Sequence, residues 1–117
     1  MKKDKLCDYS LKLVSVCLTI ADTLKLHKEY SFADQIKRSS ASVCANIAEG
    51  SHPQSRLDMI SKFEIALKEA FETDRWLQIF KNANFIDENL FNDANKLCTK
   101  VRVLLIASIK TLKSKSN

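Results

Sequence analysis

The run Arg38–Ser55, RSSASVCANIAEGSHPQS, contains the only glycine and the only proline of the 117-residue chain. Its first part reads as helix. Ser40, Val43, Cys44 and Ile47 continue a series begun by Phe32, Ala33 and Ile36, and at ~100° per residue all seven fall on one side. Its second part reads as a stop followed by a restart. Gly50 is expected to close the helix in the left-handed conformation, and Pro53 blocks easy continuation. Ser55, with Asp58 three residues on, offers a capping box for the next helix. One helix ending a few residues before another begins makes the two antiparallel neighbours.

The same pattern extends outward in both directions. Upstream, Leu6, Tyr9, Leu13, Val16, Cys17, Ile20 and Leu24 form one apolar stripe of a helix over about residues 5–28. Lys25, His27 and Lys28 sit near its C-terminal end, where positive charge suits the helix dipole. Ser31 with Asp34 forms another capping-box candidate, starting the helix that runs to about Glu49. Downstream, Leu57, Ile60, Phe63, Leu67, Ala70, Phe71, Leu77 and Phe80 mark a third helix ending near Asn82. The segment NANFIDEN turns the chain, and Asp87 caps a fourth helix over about 88–113, with the tail LKSKSN expected to fray.

A sheet protein of this length needs turn residues every 8 to 12 positions or so, which one Gly and one Pro do not supply. The fold class is therefore all-α: a single domain over residues 1–117, an antiparallel up-down-up-down four-helix bundle. MKKDK followed by LVSVCLTIA superficially resembles a secretory signal, but Asp8 and Lys12 interrupt it and helical periodicity continues to Leu26. No apolar run approaches the ~20 residues of a membrane span. Cys7, Cys17, Cys44 and Cys98 are far apart and form no close ligand pair, so they read as reduced core thiols of a cytoplasmic protein.

Catalysis finds no footing. There is no P-loop and no G-x-G-x-x-G, and the one E-x-x-H, Glu49 to His52, straddles the expected helix end at Gly50 and does not lie within a helix as a partner for a carboxylate pair such as Glu69 and Glu72. His27 and His52 both fall near helix ends without ligand or triad spacing. No catalytic, cofactor or metal site is expected.

Three surface patterns carry the functional question. Arg38, Ser42, Asn46 and Glu49 line up at steps of four, four and three, opposite the apolar face of the second helix. Around them lie short side chains, Ser39, Ala45 and Ala48. Short side chains let another helix approach, and a lone Asn can fix its register; a solvated face or a ligand site are the alternatives. On the third helix Glu64, Lys68, Glu72 and Arg75 alternate in sign, which reads as an exposed ion-pair ladder. The competing reading has Glu69 or Glu72 meeting Arg38 across the bundle or across a subunit boundary.

The third pattern is charge. Through residue 93 the chain has 13 Lys/Arg against 14 Asp/Glu, a net −1, whereas the last 24 residues have six and none, a net +6. Lys96, Lys100 and Lys110 fall within about 80° on the fourth helix, opposite its apolar face. Such a stripe either solubilises the bundle or contacts phosphates of RNA or DNA. With no aromatic platform beside it, that contact would be largely independent of sequence.

The blocks RSSASVCANIAEGS and FEIALKEAFETDRWL together resemble the bacterial four-helix bundle protein family, whose members include proteins encoded in intervening sequences of large-subunit ribosomal RNA genes. Its pattern, approximately R-x-x-x-S-I-x-x-N-I-A-E-G, is met by Arg38, Ser42, Asn46, Ile47, Ala48, Glu49 and Gly50, with Val43 in place of isoleucine. Downstream, Ala66 and Glu72 fit an A-x-G-S-x-x-E-L block in which Lys68-Glu69 replaces Gly-Ser. The resemblance implies a four-helix protomer, assembly into a ring-like homopentamer and no known enzymatic activity. A related branch, the accessory variability protein of diversity-generating retroelements, is basic, binds nucleic acid and partners a reverse transcriptase. Subunit contact is accordingly expected through the small residues of the second helix and the ladder of the third, involving Arg38, Ser42, Asn46, Glu49, Gly50, Glu69 and Glu72.

Overall fold

The computed structural model describes residues 2–115, with side chains from Lys5 onward. It contains four helices: α1 (Lys2–Leu26), α2 (Tyr30–Gly50), α3 (Arg56–Asn82) and α4 (Glu88–Ser114). Each packs on two neighbours, α1 on α2, α2 on α3, α3 on α4 and α4 on α1, with no diagonal contact among the described residues. Side-chain pairs fix the directions. Ser10 meets Cys44, Glu49 meets Lys62, Glu64 meets Lys113 and Tyr9 meets Lys100, so every neighbouring pair runs antiparallel. The result is an up-down-up-down rod 52 Å long and about 20 Å across.

The core follows the apolar series closely. Leu13, Cys17, Ile20 and Leu24 from α1, Ile36, Val43 and Ile47 from α2, Leu77 and Phe80 from α3, and Cys98, Val101 and Leu105 from α4 are fully buried. Tyr9, Val16, Phe32, Leu67, Leu97, Leu104 and Leu112 pack half-buried at its rim. Two members of the expected α3 stripe leave it: Leu57 is 73% and Phe71 48% exposed. Both lie on the flank of α3 that turns from the core toward α4 and solvent, which spacing alone does not separate from the inward flank.

Helix starts confirm two of three caps. Ser55 Oγ accepts from the Asp58 amide at 3.0 Å, and Asp87 Oδ1 accepts from the Leu90 amide at 2.7 Å. The Asp58 carboxylate reaches back to the Gln54 amide, one residue before the position the capping box anticipates. The box at Ser31 does not form. α2 begins at Tyr30 with Glu29 at its N-cap and no side-chain cap bond. The reason lies in how α1 ends. Lys28 adopts φ 62°, the Lys28 amide donates to the Lys25 carbonyl and the Glu29 amide to the Leu24 carbonyl, both at 2.9 Å. That is a Schellman closure with lysine at the left-handed position, and the chain re-enters helix directly from it. Asn84, φ 60°, closes α3 in the same way, with the Phe85 amide donating to the Phe80 carbonyl at 2.9 Å.

Gly50 corrects a further expectation. It is the last residue of α2, the following Ser51 is right-handed, and no glycine has positive φ. What position 50 requires is space. A Cβ there would lie 2.5 Å from Phe63 Cε1 and 2.6 Å from Phe63 Cδ1, so the absence of a side chain lets α3 seat its buried phenyl ring against the α2 backbone. At the tail, α4 stays helical through Ser114; the expected fraying otherwise concerns Ser116 and Asn117, which lie outside the described residues.

Candidate functional site

The Arg38 line does not face open solvent opposite the core; it runs along the seam between α2 and α3. Arg38 Nη1 donates to Glu69 Oε1 at 3.1 Å, Nη2 pairs with Glu72 Oε2, and Nε donates to Gln35 Oε1 at 3.3 Å. Trp76 Nε1 also donates to Glu72 Oε2, at 3.0 Å. At the other end of the line Glu49 pairs with Lys62 at 3.1 Å. Beneath the Arg38 fork, Thr73 Oγ1 hydrogen-bonds both Ser39 Oγ and the Glu69 carbonyl at 2.9 Å, buried between the two helices. Ser39 therefore belongs to the interior rather than to an outer small-residue face.

Between these ends, Ser42 and Asn46 are half-buried and bonded to each other. Asn46 Nδ2 donates to the Ser42 carbonyl at 2.9 Å and to Ser42 Oγ at 3.2 Å. The anticipated ladder within α3 is replaced by ties to its neighbours. Glu64 goes to Lys113 of α4 at 2.7 Å and Glu72 to Arg38 of α2. One guanidinium fork holding two carboxylates one turn apart is what arginine geometry favours. Arg38 and the α3 carboxylates, and Glu49 of the N-I-A-E-G block and Lys62 of α3, thus meet inside one protomer.

The basic stripe divides in two. Lys96 and Lys100 border a shallow groove between α4 and α1 with Lys12, Tyr9, Val16 and Asp93. Lys100 Nζ lies 5.0 Å from the centre of the Tyr9 ring, a cation–π distance. Lys110 instead borders an apolar groove between α3 and α4 with Leu67, Ile106 and Lys113. Tyr9 and Lys12 were missed as surface partners because Tyr9 fits the apolar stripe of α1. The available signal was Lys12 one turn beyond a tyrosine at that stripe's edge. The groove is not purely cationic, since Asp93 lines it and Asp8 pairs with Lys12 at 3.3 Å.

The thiols are all free. Burial pushes Cys17 up to about 12 and Cys98 up to about 11, so both stay protonated at neutral pH and neither supplies a thiolate nucleophile. Among the described residues no group of three or more His, Cys, Asp or Glu is placed to hold a metal ion, and no helix is long and apolar enough to cross a membrane.

A four-helix rod whose N-I-A-E-G helix is clasped to α3 through Arg38 is the arrangement to set against known proteins. The profile of the 23S rRNA-intervening sequence protein family matches residues 2–107. The chain belongs to that family. A solved structure from Bacteroides thetaiotaomicron, described as a protein of unknown function from the S23 ribosomal protein family, is similar at 37% identity and a TM-score of 0.89. The alignment covers 94% of this chain and 99% of that one. No curated protein matches significantly. Across the 23S rRNA-intervening sequence family pattern, Asn46, Glu49 and Gly50 now have structural roles: a bond within α2, a tie to Lys62 and room for Phe63.

Proposed function

We propose that the protein is a non-enzymatic cytoplasmic scaffold that assembles with copies of itself, as a homopentamer, and binds RNA or DNA through the α1–α4 groove. The observation that carries nucleic-acid binding is the convergence of Lys12, Lys96 and Lys100 around the Tyr9 ring. Lysines neutralise phosphates, and the exposed part of the half-buried Tyr9 ring adds an apolar contact among them for a sugar or base. Assembly is supported by large apolar side chains left on the protomer surface, among them Leu11, Phe71, Val103 and Ile106. The retroelement branch related to this family suggests a reverse transcriptase as a further partner for such a complex.

The test is retention of structured RNA at two salt concentrations. Binding is expected at ~50 mM salt and to fall steeply by ~200 mM. Lys96→Glu with Lys100→Glu should abolish it, whereas Lys110→Glu, on the other groove, should leave it within about twofold. Equal loss from both would reject the groove as the site. A purely structural scaffold is the second reading, favoured by the carboxylates Asp8 and Asp93 beside the lysines; no retention at ~50 mM salt would establish it.

A further inference from the structure

The groove between α1 and α4 is graded along its length. Tyr9 and Lys100 meet at one end. Because the two helices run antiparallel, two turns on along α1 lead to Val16 and two turns back along α4 lead to Asp93, which marks the other end. Lys12 and Lys96 lie between. The floor is apolar, made of the half-buried Tyr9, Val16 and Leu97, and the rim is polar and exposed. Asp93 is the odd member of that rim. Its carboxylate has no hydrogen-bond or ion-pair partner among the described residues, although Lys96 is one turn and Lys100 two turns further along the same helix. Asp8 of α1, by contrast, is tied to Lys12 at 3.3 Å.

We propose that the ligand of this groove is an unpaired RNA strand, with phosphates on Lys12, Lys96 and Lys100 and the 2′-hydroxyl of a ribose donating to Asp93. The inference rests on the nucleic-acid reading above and selects RNA over DNA within it. The reason is the inventory of donors. The backbone of a DNA strand presents acceptors alone, phosphate and sugar oxygens, and these repel a carboxylate. An RNA backbone adds one hydroxyl donor per nucleotide, the group by which proteins tell the two polymers apart. A carboxylate accepts and does not donate, so beside Lys96 and Lys100 it disfavours DNA and favours RNA.

Spacing and width favour a single strand. Lys96 and Lys100 are about 6 Å apart along the axis of α4, close to the separation of successive phosphates on one strand, and Asp93 stands about 4.5 Å before Lys96. Packed helices such as α1 and α4 have axes roughly 8–10 Å apart. A strand fits between their outer edges, whereas a duplex, about as wide as the whole rod, rides on the rim and leaves the floor of Tyr9, Val16 and Leu97 untouched. Nucleotides free of pairing can instead splay a sugar or base edge onto that floor, as in recognition of RNA loops. Lys100 sits over the Tyr9 ring, so the strand meets the exposed edge of the ring rather than stacking on its face. Binding therefore follows the sugar–phosphate backbone and not the identity of the bases.

Fluorescence anisotropy at ~50 mM salt tests this with a labelled uridine strand of about 12 nucleotides and its 2′-deoxyuridine counterpart, which differ in the 2′-hydroxyl alone. The wild type should hold the RNA strand roughly tenfold more tightly than the DNA strand. Asp93→Ala should bring the two within about twofold, mainly by tightening the DNA strand, whereas Asp93→Asn, which keeps an acceptor without the charge, should tighten both and still prefer RNA. Asp93 is exposed, so helical circular dichroism should be the same in all three proteins. A solvated charge with no part in recognition would shift both affinities by one factor; an RNA-to-DNA ratio unchanged in Asp93→Ala would therefore overturn the inference, as would equal binding of the two strands by the wild type. An RNA duplex of the same length held as tightly as the single strand would overturn the choice of an unpaired ligand. Failure of every strand to bind would instead overturn the nucleic-acid reading itself.

Discussion

The Phe63 ring lies so close to Gly50 that a Cβ on the glycine would meet it at 2.5 Å. Because Gly50 is helical, Gly50→Ala would ordinarily gain about 0.5–1 kcal/mol. Here Phe63 is 1% exposed and has no room to yield, so the substitution should instead cost roughly 1–3 kcal/mol. Thermal or urea unfolding measures it. In a Phe63→Leu background the same substitution should be nearly neutral. An equal loss in both backgrounds would place the constraint in the backbone rather than the ring.

Lys28 holds a left-handed conformation without being glycine. Its side chain is exposed, so little packing opposes replacement. Lys28→Gly should raise stability by about 1 kcal/mol, the steric cost that a Cβ imposes there. Lys28→Val should lower it by at least as much. A destabilised glycine variant would reject the reading of the α1–α2 turn as a Schellman closure.

Arg38 is about half exposed while Glu69 is 19% exposed and Glu72 38%. Exposure limits each pair to roughly 0.2–1 kcal/mol. A double-mutant cycle of Arg38→Ala with Glu72→Gln should therefore return a coupling below about 1 kcal/mol, shrinking at high salt. Assembly measured by sedimentation should be unchanged by Arg38→Ala, since its partners are within the protomer. Loss of assembly with an intact fold would return the Arg38 line to the subunit contact.

The buried thiols set a limit at alkaline pH. Cys17 and Cys98 are raised from 9.0 to about 12 and about 11. The unfolded chain therefore releases these protons first, and the stability they contribute is fully present below pH 9. It is lost as pH rises through the folded values, at about 1.4 kcal/mol per thiol per pH unit between them. Urea unfolding at pH 8 and pH 10 should show this decline, and Cys17→Ala with Cys98→Ala should flatten it. An identical slope in the double variant would assign the decline to other groups.

The fold was legible because its signals are redundant. Ser55, Asp58 and Asp87 mark helix starts by side chains whose bonds form in the structure, and the apolar series of α1 and α2 point inward almost entirely. The ends of α1 and α3 were not legible. Lys28 and Asn84 act where glycine is usual, held there by backbone bonds that no residue type announces. The Arg38 line was visible as a line, and the reading in which Glu69 or Glu72 meets Arg38 across the bundle is the arrangement found, but the wheel alone did not turn the line toward α3. Arg38 and Glu49 have side chains long enough to bend around α2 to α3, and a helical wheel records only where each Cβ leaves the axis. Lys110 was grouped with Lys96 and Lys100 for the same reason. Their angles on α4 are close, yet the grooves they border are made by different neighbours.

The α1–α2 connection is only residues 27–29, and Glu29 both completes the closure of α1 and starts α2. Three residues later Phe32 packs edge-on against Trp76 and Phe80, at 5.9 and 5.6 Å. An added residue at Lys28 would have no loop to absorb it. It would rotate α2 by about 100° and swing Ile36, Val43 and Ile47 out of the core together. The five residues 51–55 between α2 and α3 divide these tasks: the Ser51 and His52 amides close α2 and Ser55 caps α3, so no single residue serves both helices. Length variation among relatives should therefore collect at that end of the rod and be excluded from the α1–α2 turn.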